Sequence, residues 1–121
     1  MATPLELSRL FLDGWEASSP EAISRLFAAD GMFANPLQPK PLIGPKQILE
    51  ALIIGLGKLQ DVRIHVTGSF EHETSAVVEG KFISQRRGDG SRFDFPFVLI
   101  LEARNGKIHR LAEYFDTAPL R

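Results

Sequence analysis

The chain contains no cysteine in its 121 residues. Disulfides, thiolate nucleophiles and Cys-ligated metals are excluded together. An excess of either charge is also missing, since 14 Lys and Arg stand against 15 Asp and Glu for a net charge of −1. The only basic pair of note is Arg86-Arg87, which flanks a turn. Phosphate binding needs clustered cations, so nucleic acid is not expected as a partner. Apolar stretches are too short and too broken by glycine to span a bilayer, so no membrane is expected. The N-terminus shows no basic start leading into an apolar run. No signal peptide is therefore expected, and the cytoplasm is the default location. The three histidines, His65, His72 and His109, are scattered. No His, Asp and Glu set has ligand spacing, and no metal or organic cofactor is expected.

What is present is ordinary for a globular protein: 44% hydrophobic, 24% charged and 9% aromatic residues. The length suits one domain, 1–121, around one core. Thr3-Pro4-Leu5-Glu6 reads as a helix start, with a capping threonine, proline at the first helical position and glutamate three residues after the cap. Leu7, Leu10, Phe11, Gly14 and Trp15 then mark one apolar face of a helix ending near Ala17. Ser19-Pro20-Glu21 starts a second helix with Ile23, Leu26 and Phe27 inward, and Asp30-Gly31 stops it. A short strand over Met32–Asn35 leads into a loop held extended by Pro36, Pro39 and Pro41. Gly44-Pro45 opens a third helix to about Leu56, apolar over much of its circumference.

The rest reads as four antiparallel strands. Val62, Ile64 and Val66 alternate with polar residues. A second strand covers Ala76–Arg86, with Val78, Gly80 and Phe82 on one face. Gly88-Asp89-Gly90 is a hairpin turn, and Arg104-Asn105-Gly106-Lys107 is another. Between them Phe93–Leu101 is apolar on both faces, as a strand covered above and below must be. In the final strand Glu113 falls between Leu111 and Phe115 in a period-2 pattern. A carboxylate therefore points where its same-face neighbours are apolar. The order α-α-β-α-β-β-β-β predicts an α+β fold with helices on one face of a curved sheet.

This order resembles the nuclear transport factor 2-like superfamily, in particular its SnoaL-like branch, over nearly the whole chain. The resemblance is carried by Phe33-Ala34-Asn35-Pro36 with Gly44 downstream, by Asp89–Phe97, and by Gly106-Lys107-Ile108 leading to Glu113-Tyr114-Phe115-Asp116. It implies a cone-shaped, strongly bent, mostly antiparallel sheet wrapped around a pocket and closed by three N-terminal helices. It also implies a homodimer through the sheet face. The superfamily includes ketosteroid isomerase, polyketide cyclases and limonene epoxide hydrolase, so fold alone does not settle function.

Residue by residue, the steroid isomerase's aspartate base matches Asn35, its oxyanion tyrosine Phe11 and its protonated aspartate Val98. All three chemical groups are absent. The epoxide hydrolase's Tyr and Asn match Phe33 and Asn35. Its Arg and first Asp match Gly80 and Phe82, and its second Asp matches Glu113. That triad is broken, with one acid retained as glutamate.

The candidate catalytic residues are therefore Glu113, as a desolvated general acid or base, and Asn35, either orienting a substrate carbonyl or satisfying the turn before Pro36. Asp94 is expected either to face the pocket or to form a solvated ion pair with Arg92 at its mouth. The expected pocket walls are Phe11, Trp15, Phe33, Phe82, Val98, Leu111 and Phe115. Three functions fit these residues: a proton-transfer enzyme acting on a small apolar molecule, a non-catalytic carrier of such a molecule, and a structural dimerisation module.

Overall fold

A computed structural model describes residues 1–120. The chain opens with helix α1, Pro4–Glu16, whose start is the expected capping box: Glu6 N–H donates to Thr3 Oγ1, and Thr3 N–H donates to Glu6 Oε1, each at 3.1 Å. Helix α2, Pro20–Ser24, is a turn and a half capped by Ser19. Strand β1, Phe27–Ala34, follows, then a two-residue strand β2, Leu42–Ile43, and helix α3, Gly44–Gly57. Four long strands complete the sheet: β3, Leu59–His72; β4, Ser75–Arg86; β5, Arg92–Arg104; and β6, Lys107–Tyr114. A 3₁₀ turn, Ala118–Leu120, follows the last strand.

All six strands form one curved, open sheet in the order β2-β1-β6-β5-β4-β3, antiparallel except where β1 runs parallel to β6. The helix and strand order matches the one read from the sequence, with the short β2 added. One boundary differs. The apolar spacing of Ile23, Leu26 and Phe27 reads as a helix running to Asp30, but α2 ends at Ser24 and Phe27 already lies in β1, paired with Ile108. The Leu26 carbonyl accepts from Ile108 N–H at 2.8 Å, so the chain joins the sheet rather than continuing the helix. A register shift between Phe27 and Met32 takes up Asp30-Gly31 as an irregularity inside the strand. Helix α3 ends at Gly57, in line with the expected end near Leu56.

The hairpins follow their turn chemistry. Asn105 and Gly106 both have positive φ, 53° and 74°, as a two-residue loop of the twisted type requires. On β5, Phe93, Phe95, Phe97, Leu99 and Leu101 are buried and point inward, while Asp94, Pro96, Val98, Ile100 and Glu102 point outward. The core between sheet and helices is built on Phe11, Ile23, Phe27, Phe33, Ile48 and Leu52 from one side. Val78, Leu99, Leu101, Ile108 and Leu111 close it from the other. Among the described residues no helix is long and apolar enough to cross a membrane.

Candidate functional site

Toward the α3 end of the sheet the core is not filled, and a cavity of about 450 Å³ opens between α1, α3 and the inner sheet face. This is within the range of roughly 300–1,000 Å³ that holds a small organic ligand. One wall is aromatic. Phe82 of β4 and Phe95 of β5 are registered partners whose rings stack at 5.1 Å between centroids. Phe115, just beyond β6, continues the row at 5.2 Å from Phe95. Trp15 of α1 closes the other end, edge-on to Phe82 at 6.0 Å. Phe93 and Phe97 extend the floor along β5, and Leu12, Leu37, Ile54, Ile64 and Leu120 supply aliphatic surface.

Two polar residues stand at the inner end. Glu113 lies opposite Leu99 on the neighbouring strand, and Leu111 and Phe115 flank it on the same face. Among the described residues no hydrogen-bond donor or cation partners its carboxyl. Burial among these apolar groups pushes its pKa from 4.5 up to about 8. Asn35 reaches the cavity from the β1 side: Ala34 pairs with Ala112, so the next residue on each parallel chain is Asn35 and Glu113. The Asn35 side chain has a fixed orientation. Its Oδ1 accepts from Leu37 N–H at 2.8 Å, and its carbonyl accepts from Gln38 N–H at 3.2 Å, closing the turn at Pro36. With Oδ1 engaged, what Asn35 can offer a ligand is the Nδ2 donor pair.

The structure thus brings Glu113, Asn35, Trp15, Phe82 and Phe115 together on the cavity wall. The other five expected wall residues lie elsewhere. Phe11, Phe33 and Leu111 point inward but into the packed core, fully or almost fully buried, with Phe11 edge-on to Phe33 at 5.6 Å. Asp94 and Val98 are corrected by strand parity: they alternate with Phe93, Phe95 and Phe97 and stand on the outer sheet face. There Asp94 bonds Lys81 Nζ at 2.9 Å and Arg92 Nη2 at 3.4 Å. The Lys81 ammonium holds its carboxyl below the ordinary aspartate range. Phe93, Phe95 and Phe97 do the lining instead, and the same alternation, followed from Leu99 and Glu113, identifies them. Lys58 and Arg86 also line the cavity. They are adjacent only in space, and no sequence motif links them. Among the described residues no three His, Asp or Glu side chains gather as metal ligands do.

The sequence matches the model of one family, the SnoaL-like domain, over residues 8–111. No curated protein matches it. Solved structures share its fold. One is a hypothetical protein with a ketosteroid isomerase-like fold from Catenulispora acidiphila, in complex with trimethylamine. It is 21% identical with a TM-score of 0.86, over 98% of this chain and 90% of that one. A proposed SnoaL-like polyketide cyclase from Shewanella denitrificans is 13% identical with a TM-score of 0.83, over 97% and 93%. A proposed hydroxylase from Streptomyces galilaeus, AclR, is 14% identical with a TM-score of 0.80, over 97% and 91%. At these identities the likeness is one of fold.

Proposed function

Because the chain belongs to the SnoaL-like domain family, we propose that it is a proton-transfer enzyme for a small apolar carbonyl compound, with Glu113 as the general base. The single observation that carries this reading is the unpartnered carboxyl of Glu113 at the inner end of an aromatic cavity, with its pKa raised to about 8. A carboxylate in that setting is a stronger base than one in water, and a pKa near neutrality is where proton transfer is most useful.

In the proposed step, Glu113 removes a proton from the carbon next to the carbonyl. The C–H electron pair moves into the C–C bond, and the carbonyl π pair moves onto oxygen. The Nδ2 donors of Asn35 stabilise the developing oxyanion, a contribution that is largest where charge develops and water is excluded. Return of the proton to a different carbon gives an isomerase, and attack of the carbanion on a second carbonyl gives a cyclase. The chain's own residues supply both groups, and no cofactor is invoked.

The test is hydrogen–deuterium exchange at the α-carbon of a bicyclic ketone such as 2-tetralone, followed by NMR in D₂O. The protein should accelerate exchange, and Glu113→Gln should abolish the acceleration. Full exchange by the Gln variant would sink the assignment. A second reading, a carrier that binds without chemistry, is favoured by the absence of a second titratable group beside Glu113 among the described residues. It predicts saturable ketone binding with no exchange by either form. We also propose a second copy of the chain as partner through the outer sheet face, where Tyr114 is 52% exposed beside the half-buried Val98. Sedimentation equilibrium tests this directly.

A further inference from the structure

The outer end of the cavity carries a charge that Glu113 does not explain. Lys58 caps the C-terminus of α3 and Arg86 ends β4, and both line the cavity. The backbone holds them side by side. Leu59 pairs with Arg86, the Lys58 carbonyl accepts from Arg87 N–H at 2.8 Å, and Arg87 Nη2 donates to the Leu59 carbonyl at 2.8 Å. The Arg86 guanidinium lies 5.2 Å from the ring centroid of Phe93, a wall residue, and its Nη1 meets Asp89 Oδ2 at 3.3 Å. Asp89 is the only acid paired with either cation among the described residues. Two adjacent positive groups against one carboxylate leave one charge uncompensated beside an apolar chamber.

The aromatic row argues in the same direction. Phe82 and Phe95 sit on neighbouring strands and stack, and Phe115, just beyond β6, continues the row at a tilt of 32° to Phe95, so the faces of these rings are turned largely to each other across the strands and their edges to the cavity. Ring edges carry positive potential, whereas a cage for a cation presents ring faces. Among the described residues the lining thus offers positive edges and two cations, with Glu113 as its only acid.

We propose that the natural ligand is a flat apolar molecule bearing an anionic group, a carboxylate or sulfonate-like head seated between Lys58 and Arg86, with its rings along Phe95 and Phe97. This rests on the reading of the cavity as a small-molecule site, but not on catalysis by Glu113. Arg86 stands opposite Ser91, just before β5, and its guanidinium reaches the Phe93 ring, while Glu113 stands opposite Leu99, so the two mark opposite ends of the inner β5 surface that the ring body would follow.

A matched pair of dyes tests this. 8-Anilinonaphthalene-1-sulfonate and N-phenyl-1-naphthylamine share one ring body and differ by the sulfonate. Fluorescence titration should show the sulfonate binding at least tenfold more tightly at a single site from which the neutral dye can displace it. Lys58→Gln and Arg86→Gln should each weaken the sulfonate severalfold and leave the neutral dye within twofold. Glu113→Gln should keep the preference. Absence of ketone exchange in the parent protein, with the dye preference intact, would therefore count against the catalytic reading alone. Equal affinities, equal loss of both dyes in the Lys58 and Arg86 variants, or no saturable binding of either dye would overturn the proposal.

Discussion

Leu99 and Glu113 stand directly opposite each other on β5 and β6, on the same inner face of the sheet, so the cross-strand neighbour of the carboxyl is an aliphatic side chain that cannot partner it. On the other flank the β1–β6 register brings Asn35 alongside, a neutral amide. Glu113 is thus neither neutralised by a cation nor removed from the cavity, and its raised pKa is a consequence of strand register.

The first prediction concerns stability. The folded state holds the Glu113 proton up to about pH 8, and the unfolded chain releases it near 4.5. Between those values the native state binds more protons, so stability is fully present below about 4.5 and is lost as the pH rises through 8. At about 1.4 kcal/mol per unit, the loss is on the order of a few kcal/mol. Glu113→Gln keeps the shape without the charge. Denaturant melts should find it equal to the parent protein at pH 5 and more stable at pH 9.

The second concerns rate. If Glu113 is the base, about one molecule in ten carries the active carboxylate one unit below its pKa. The ketone exchange rate should therefore rise roughly tenfold from pH 7 and level off above 8. A rate that falls over the same interval would assign Glu113 the role of acid instead.

Asn35 separates two roles in one side chain. Asn35→Ala removes the acceptor of the Leu37 N–H and should cost about 1 kcal/mol in unfolding free energy as well as the oxyanion donor. Asn35→Asp keeps the acceptor and the turn but places a like charge beside Glu113. The stability cost should largely vanish, while the Glu113 midpoint, read by carboxyl ¹³C NMR, moves above 8.

Much of this site was legible from period-2 alternation. Glu113 is marked by Leu111 and Phe115, and Tyr114 by its place between them. Where the position of a residue came from resemblance instead, parity overruled it: Val98 is assigned to the pocket by likeness to a catalytic aspartate, yet its neighbours Phe97 and Leu99 are the ones that point in. Phe11 and Phe33 lie on the correct side, but no pattern in the sequence separates packed core from cavity wall, because that depends on how far α1 and α3 stand from the sheet. Phe27 reads as helical because its spacing from Ile23 suits a helix, and its pairing with Ile108 arises from residues some eighty positions away. The Lys58–Arg86 pair is long-range in the same sense.

Gly80 gives the last prediction, and it bears on how the sheet bends around the cavity. Limonene epoxide hydrolase resembles this chain with an arginine at that position, but a side chain here has no room. A Cβ on Gly80 would fall onto the His65 carbonyl oxygen, with the Val66 backbone close behind at 3.1 Å. The obstacle is backbone on the partner strand, so no rotamer change relieves it. The close approach sits at the β3–β4 irregularity between Val66 and Gly68, where the pairing slips by one residue. A bulge bends its strand and sharpens the local twist, and this one lies one inward position from Phe82 on the cavity wall. Gly80→Ala should therefore destabilise the protein by roughly 2–3 kcal/mol, at the upper end of overpacking costs. It should also shift the amide resonances of Thr67, Gly68 and Phe82 and weaken the neutral naphthylamine dye. A variant that unfolds like the parent protein with unchanged dye affinity would mean that the strands separate freely at this point and that the bulge does not set the shape of the cavity.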